Sequence, residues 1–179
     1  MKLKTLTKLL LASGALVAST FANAGSYSFS YVANNSTYQV NGILTTADVL
    51  NAVGGFSILG ISGTVTGSGG GAITSLVANP AAPNPHTEFG FKYDNNFFPS
   101  TDPVLNTWGV LFTTTGGNKW NLWGTSDVDF SLYSYSNDAG EVVGRMVTTA
   151  VPEPESYALM LAGLGLLGAI VRRRKAIHA

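Results

Sequence analysis

Along most of this 179-residue chain the apolar positions recur at every second residue, a period that belongs to half-buried strands rather than to helices. Tyr27, Phe29 and Tyr31 alternate with Ser26, Ser28 and Ser30. Asn34-Asn35 then offers a turn, and Tyr38, Val40 and Gly42 return the pattern, which predicts a hairpin. Residues 46–53 alone read as a helix, of about two turns, with Thr45 or Thr46 capping its start and Gly54 or Gly55 as a left-handed stop. Strand signals resume at Phe56, with Ile61, Gly63 and Val65 on one face, and the glycines of 67–71 turn the chain into residues 72–77. Prolines 80, 83 and 85 cannot donate to a ladder, so residues 79–86 form a surface loop. Phe89, Phe91 and Tyr93 predict one strand, ended by a polar turn at Asp94-Asn95-Asn96. Trp108, Val110 and Phe112 predict another, turned at Gly116-Gly117-Asn118 into residues 120–123. Val128, Phe130 and Leu132 pair with residues 143–147 about a turn at 137–140. About eight short strands at close spacing predict an all-β fold, an antiparallel sandwich or barrel.

Two segments break this period, one at each end. Lys2, Lys4 and Lys8 precede an apolar stretch at 9–17, and Ala22-Asn23-Ala24 forms a small-x-small cleavage site before Gly25. This is the layout of a secretory signal peptide over residues 1–24, with the export translocase as its partner. At the other end Val151-Pro152-Glu153-Pro154 is followed by an apolar run at 157–171 and by Arg172, Arg173, Arg174 and Lys175. The prolines break any helix or strand entering from the body. Fifteen helical residues reach roughly 22 Å, short of a hydrocarbon core of ~30 Å, but flanking residues and local thinning supply the difference. The four positive charges stay on the cytoplasmic side, so the expectation is a transmembrane span at 157–171 with everything before Tyr157 outside.

Residues 25–150 between these signals are enough for one β-rich extracytoplasmic domain with a core of its own. The formal net charge of zero sums unlike parts, because this body carries eight acidic residues against three basic ones. A mildly acidic body has no basic patch for nucleic acid. The chain has no cysteine, which removes disulfides, thiol nucleophiles and cysteine metal sites together.

Candidate chemistry in the body is sparse. His178 lies beyond the basic cluster, and His86 sits among prolines with no serine or carboxylate placed beside it by any pattern, so it reads as a solvated loop histidine. Asp127 and Asp129 share a strand face opposite Val128, Phe130 and Leu132, and read as the polar half of an amphipathic strand. Asp94, Asn95, Asn96 and Asp102, and separately Asn137, Asp138 and Glu141, offer hard oxygen ligands on loops without EF-hand spacing, and read as turn chemistry. The expectation is therefore no metal, no cofactor and no catalysis. A sugar platform needs exposed aromatic faces. Trp108 shares parity with Val110 and Phe112 and is expected in the core, whereas Trp120 and Trp123 have opposite parity, so one of those two is expected to face outward as a candidate ligand-binding residue.

The tail resembles the PEP-CTERM sorting signal of exported Gram-negative proteins on three ordered parts: Val151, Pro152, Glu153 and Pro154; the Gly/Ala/Leu-rich run 158–168; and Arg172 to Arg174. The resemblance implies an exosortase as partner, a membrane-anchored precursor with its body in the periplasm, and later delivery to the cell surface or matrix, in a setting of extracellular polysaccharide and biofilm. The body is also similar to a β-rich module of such proteins, through Gly60-Ile61-Ser62-Gly63-Thr64-Val65-Thr66-Gly67, Ala72-Ile73-Thr74, Asp94-Asn95-Asn96 and Asn121-Leu122-Trp123. The expected function is a surface-directed structural or matrix component; the alternative is a carbohydrate-binding module using Trp120 or Trp123.

Overall fold

A computed structural model describes residues 25–126, 129–152, 157, 158 and 160–167. Among these, the chain forms β1 (Ser26–Ala33), β2 (Gln39–Leu50), β3 (Phe56–Thr66), β4 (Gly71–Leu76), β5 (His86–Glu88), β6 (Phe91–Tyr93), β7 (Asn96–Phe97), β8 (Val110–Thr114), β9 (Lys119–Gly124), β10 (Phe130–Tyr133) and β11 (Val142–Ala150). The pairings run β2-β1-β11-β10-β9-β8-β4-β3, all antiparallel, and β2 also pairs with β3. That last pairing joins the two ends of the sheet, so the choice between sandwich and barrel resolves to a closed barrel of eight strands. β7 adds to β3 beyond the barrel wall, and β5 and β6 form a separate hairpin.

The period-two pattern fixes which side chains fill the interior. Phe29, Tyr31, Val40, Leu44, Val65, Phe112, Trp120, Leu122, Phe130 and Leu132 are buried in one cluster. An eight-stranded barrel has an interior just wide enough to be filled by side chains, and here large aromatics fill it. A ligand site therefore has to lie on the outside. Tyr31 donates to the Val142 carbonyl at 2.6 Å, and burial pushes its phenol pKa up, so the group stays a neutral donor.

Residues 46–53 are not helical. β2 runs straight through them to Leu50, and Gly54, at φ 79°, closes a hairpin turn into β3 rather than a helix. The register slips twice: between Thr46 and Leu50 three residues of β2 face the single Ser57 of β3, and after Thr45 the exposed Leu59 is an extra residue opposite β2. The extra residue lets Ile58 and Ile61, three apart, both enter the core, which a regular strand cannot do. The run expected as one strand at 88–93 is a hairpin folded at Phe89-Gly90, with φ of 54° and 78°. Positive φ at both central residues is the mark of a type I′ turn, ordinarily signalled by Asn-Gly, and a phenylalanine in that place hides it.

β2 and β3 cross closely at Gly42 and Gly63. A Cβ on Gly63, at φ 140°, would run into the Asn41 carbonyl oxygen and the Gly42 Cα, both backbone atoms that cannot turn aside. Gly63→Ala should therefore lower the unfolding free energy by about 2–4 kcal/mol, from strained backbone and overpacking together, read as a lower midpoint of urea denaturation. A midpoint unchanged from wild type would mean that β2 and β3 separate there at no cost.

Candidate functional site

Side chains at alternate positions of β8, β9 and β10 point away from the core, and the β5–β6 hairpin lies against them. Phe91, Tyr93 and Leu111 form a second, smaller buried cluster there, with Val77 and Tyr133 packed on it. The single hydroxyl proton of Tyr93 is shared between the Ala78 carbonyl at 2.9 Å and Glu88 Oε2 at 3.2 Å. Burial, and then Glu88, push its pKa up to about 12. His86 meets the Tyr93 ring edge-on and approaches Glu88 at 3.9 Å, so it is part of the hairpin's packing.

Beside this cluster lies a shallow groove of about 290 Å³, walled by Lys92, Trp108, Trp123 and Tyr133 with Asn121 among its lining residues. The structure divides the three tryptophans differently from the sequence expectation. Trp120 is fully buried, its Nε1 donating to Thr114 Oγ1 at 3.2 Å and its ring 5.9 Å from that of Tyr38, so it belongs to the core and is withdrawn as a ligand-binding candidate. Trp123 faces outward, half-buried, as opposite parity requires. Trp108 is not in the core: Gly109, at φ 66°, breaks the alternation before β8 begins and leaves Trp108 half-exposed beneath the Lys92 ammonium, 3.7 Å from the ring centroid. Asn121 is 5 % exposed; its Nδ2 donates to the Lys92 carbonyl at 3.2 Å while its Oδ1 has no partner. That acceptor has no contact with solvent, so it is an unpaired group inside the groove wall. The aromatic surface continues through Phe91, Tyr133 and Tyr135, whose rings lie 5.1 to 5.8 Å apart.

Asp94, Asn95 and Asn96, expected as a solvated turn, are buried. Asp94 accepts from the Asn96 backbone N–H at 3.1 Å, Asn96 Nδ2 at 2.9 Å and Asn106 Nδ2 at 2.5 Å. Asn106 Oδ1 in turn accepts from the backbone N–H groups of Trp108 and Gly109 at 3.0 and 3.1 Å, which sets the approach of Trp108 to the groove. Asn95, at φ 56°, bridges strands with its side chain: Nδ2 donates to the Val77 carbonyl and Oδ1 accepts from the Leu111 N–H. Burial raises the Asp94 pKa, and the hydrogen bonds from Asn106 and Asn96 oppose that shift. Among the described residues no three histidine, cysteine, aspartate or glutamate side chains gather as a metal site. Asp129 is held in a turn with Ser126, and Asp127 lies outside the described residues. Asn137 and Asp138 belong to the turn before β11, where Asp138 accepts from Ser68 at 2.6 Å.

The tail leaves the barrel at a defined point. The last rung of β11 on β1 is the Val151 N–H donating to the Ser26 carbonyl at 2.7 Å, and Pro152 has no N–H with which to continue. Residues 150–175 match the family model for the PEP-CTERM protein-sorting motif. The chain carries a PEP-CTERM sorting signal. The signal implies an exported precursor, anchored in the membrane of a Gram-negative bacterium and processed by an exosortase. No curated protein and no solved structure matches the chain. Of the signal's residues, Val151 and Pro152 are described and exposed, whereas Glu153, Pro154 and Arg172, Arg173, Arg174 and Lys175 lie outside the described residues, as do Ala22 and Ala24 of the cleavage site; Gly25 is described. Positions 157, 158 and 160–167 are helical and exposed, and the remainder of the expected span, to 171, is not described. Among the described residues no helix is long and apolar enough to cross a membrane, which says nothing of crossing by strands.

Proposed function

We propose that the PEP-CTERM signal delivers this barrel to the cell surface, where it acts without catalysis as a matrix component and holds extracellular polysaccharide at its outer aromatic groove. The observation that carries the reading is the outward-facing Trp123 beside Trp108. An indole face stacks on the apolar side of a pyranose ring. The filled barrel interior supports the same placement, since it leaves the outside as the surface for contact. In the precursor, the span at 157–171 is the anchor, with the body in the periplasm.

A glycan array probed with the processed body tests this. Saturable binding to at least one polysaccharide is expected, weakened about tenfold or more by Trp123→Ala, on the scale of one lost stacking contact and the hydration that replaces it. Trp120→Phe should leave binding intact if the fold survives, because Trp120 does not reach the groove. Binding that is indifferent to Trp123→Ala would remove the groove from the function and leave a matrix protein without a sugar site.

A further inference from the structure

The chain's two processing points meet at one end of the barrel, and so does its most exposed apolar hairpin. β1 begins at Ser26, opposite Thr45 of β2, and the Thr46 N–H donates to the Gly25 carbonyl at 2.8 Å, so the residue after the signal-peptide cleavage site is fixed on this rim. Val151, hydrogen-bonded to Ser26, is fixed beside it. β2 does not stop there. It continues with β3 beyond the start of β1 as a hairpin whose β3 arm is braced by β7 and on which Val49, Leu50 and Val53 are 66, 61 and 47 % exposed. The opposite rim is built differently, from turns at 34–38, 67–70, 115–118 and 134–141 laced by polar side chains, such as Asn118 Nδ2 to the Gly69 carbonyl and Ser136 Oγ to Asn118 Oδ1, both at 2.8 Å.

We propose that the apolar tip of the β2–β3 hairpin rests in the lipid interface of the membrane that anchors the precursor, and so holds the barrel with its motif-bearing rim toward the bilayer. Reach decides for lipid. Residues 152–156 separate Val151 from the first described helical position, 157, and five residues span at most about 18 Å. Gly60, opposite Thr45, lies four residues along β3 from Phe56, opposite Leu50, so the paired hairpin projects at most roughly 14 Å past the start of β1 at ~3.4 Å per residue. The hairpin and the tail leave the same rim and the hairpin's projection lies within the spacer's maximum reach, so an apolar anchor after the spacer puts the bilayer surface within range of the hairpin tip. Asp48, exposed on the hairpin, keeps the contact shallow and disfavours anionic headgroups. Three apolar side chains at an interface supply an orienting contact, released when the tail is cut. The inference rests on the tail being the anchor.

The absence of cysteine makes the test direct. Full-length precursor with a single Val49→Cys, Val53→Cys or, on the opposite rim, Asn35→Cys change is labelled with an environment-sensitive fluorophore. It is reconstituted in vesicles of phosphatidylethanolamine with a minor share of phosphatidylglycerol, with and without nitroxide lipid quenchers. Quenching at positions 49 and 53 should exceed that at 35 several-fold, should fall as the phosphatidylglycerol share rises, and should be lost at Val49→Cys when Leu50→Asp and Val53→Asp are added. Equal quenching at 53 and 35 in a chain that resists carbonate extraction overturns the inference and leaves the anchor standing. A chain stripped by carbonate overturns the anchor and the inference with it. Label self-quenching that disappears on dilution with lipid assigns the tip to a second copy of the chain, which also overturns it.

Discussion

Replacing Asp94 by alanine should lower the unfolding free energy by about 3–5 kcal/mol and the midpoint of thermal unfolding by about 10–15 °C. The carboxylate is 2 % exposed and receives three hydrogen bonds, from the Asn96 N–H, Asn96 Nδ2 and Asn106 Nδ2. Truncation orphans those donors in a site from which water is excluded, at about 1–3 kcal/mol each before relaxation. Relief of the carboxylate's own desolvation offsets part of this, and the number of orphaned donors decides the sign. The damage should spread along the network. Asn96 Oδ1 accepts from Asn51 Nδ2 in the β2–β3 turn at 2.8 Å, Asn96 Nδ2 also donates to the Pro83 carbonyl at 2.8 Å, and Asn106 holds the backbone of Trp108. One deletion therefore loosens two loops and a wall of the groove, and the polysaccharide binding proposed for that groove should weaken in the variant even below its melting temperature. A midpoint within a degree or two of wild type would mean that the asparagines re-pair among themselves and that Asp94 is dispensable.

The same residue carries a pH signature of definite sign. Its folded-state pKa lies above the ordinary 3.8, chiefly through burial. Between 3.8 and that raised value the folded chain holds a proton that the unfolded chain has released, so the contribution is fully present below 3.8 and lost as pH rises through the folded pKa. The stability difference between wild type and Asp94→Asn should accordingly shift in favour of wild type on acidification through that window. The asparagine variant, nearly isosteric and without a titrating group, supplies the reference. A difference that stays constant with pH would show that the buried carboxyl keeps its solution pKa.

What could be read from the sequence follows from how local its cause is. The hairpin at Tyr27 to Gly42, the glycine turns and the strand around Trp120 are written in alternation and turn residues within a few positions of each other, and they form as expected. Closure into a barrel depends on β2 pairing with both β1 and β3, a fact about three segments at once. The Asp94 network was hidden for the same reason: Asp-Asn-Asn is turn chemistry when taken alone, and only partners at 51, 79, 83 and 106 make it a buried brace. Parity put Trp120 and Trp123 on opposite faces, without choosing which of them faces outward, and that division holds because β9 is regular. It failed for Trp108 because one left-handed glycine stands between that residue and its strand, and glycine is the residue whose conformation neighbours least determine.

The sorting signal is the most sequence-legible part of the chain, and the prediction with the largest expected effect falls on it. Changing Pro152 and Pro154 together to alanine should leave export intact and abolish maturation, with full-length precursor accumulating in the membrane of a cell that has an exosortase and processed body reduced more than tenfold. Export should be untouched because the signal peptide expected at 1–24 would act independently of the tail. Maturation fails for a reason visible at the barrel rim. The Val151 N–H makes the last rung to Ser26, and Pro152 ends the ladder because it has no N–H and its ring fixes φ. With alanine at both positions the sequence no longer bars extension of β11 or continuation into the helix described at 157 and 158, and the restriction that the prolines place on the motif's backbone is lost. The glycines at 163 and 165 weaken that helix by about 1 kcal/mol each, which suits an anchor meant to be temporary. Intact-mass measurement of surface and membrane fractions reads the outcome directly, since a body without Arg172 to Lys175 differs from the precursor by the whole tail. If the doubly substituted chain matured at the normal rate, the prolines would serve only as a neck, and recognition would have to rest on Glu153 and the basic cluster.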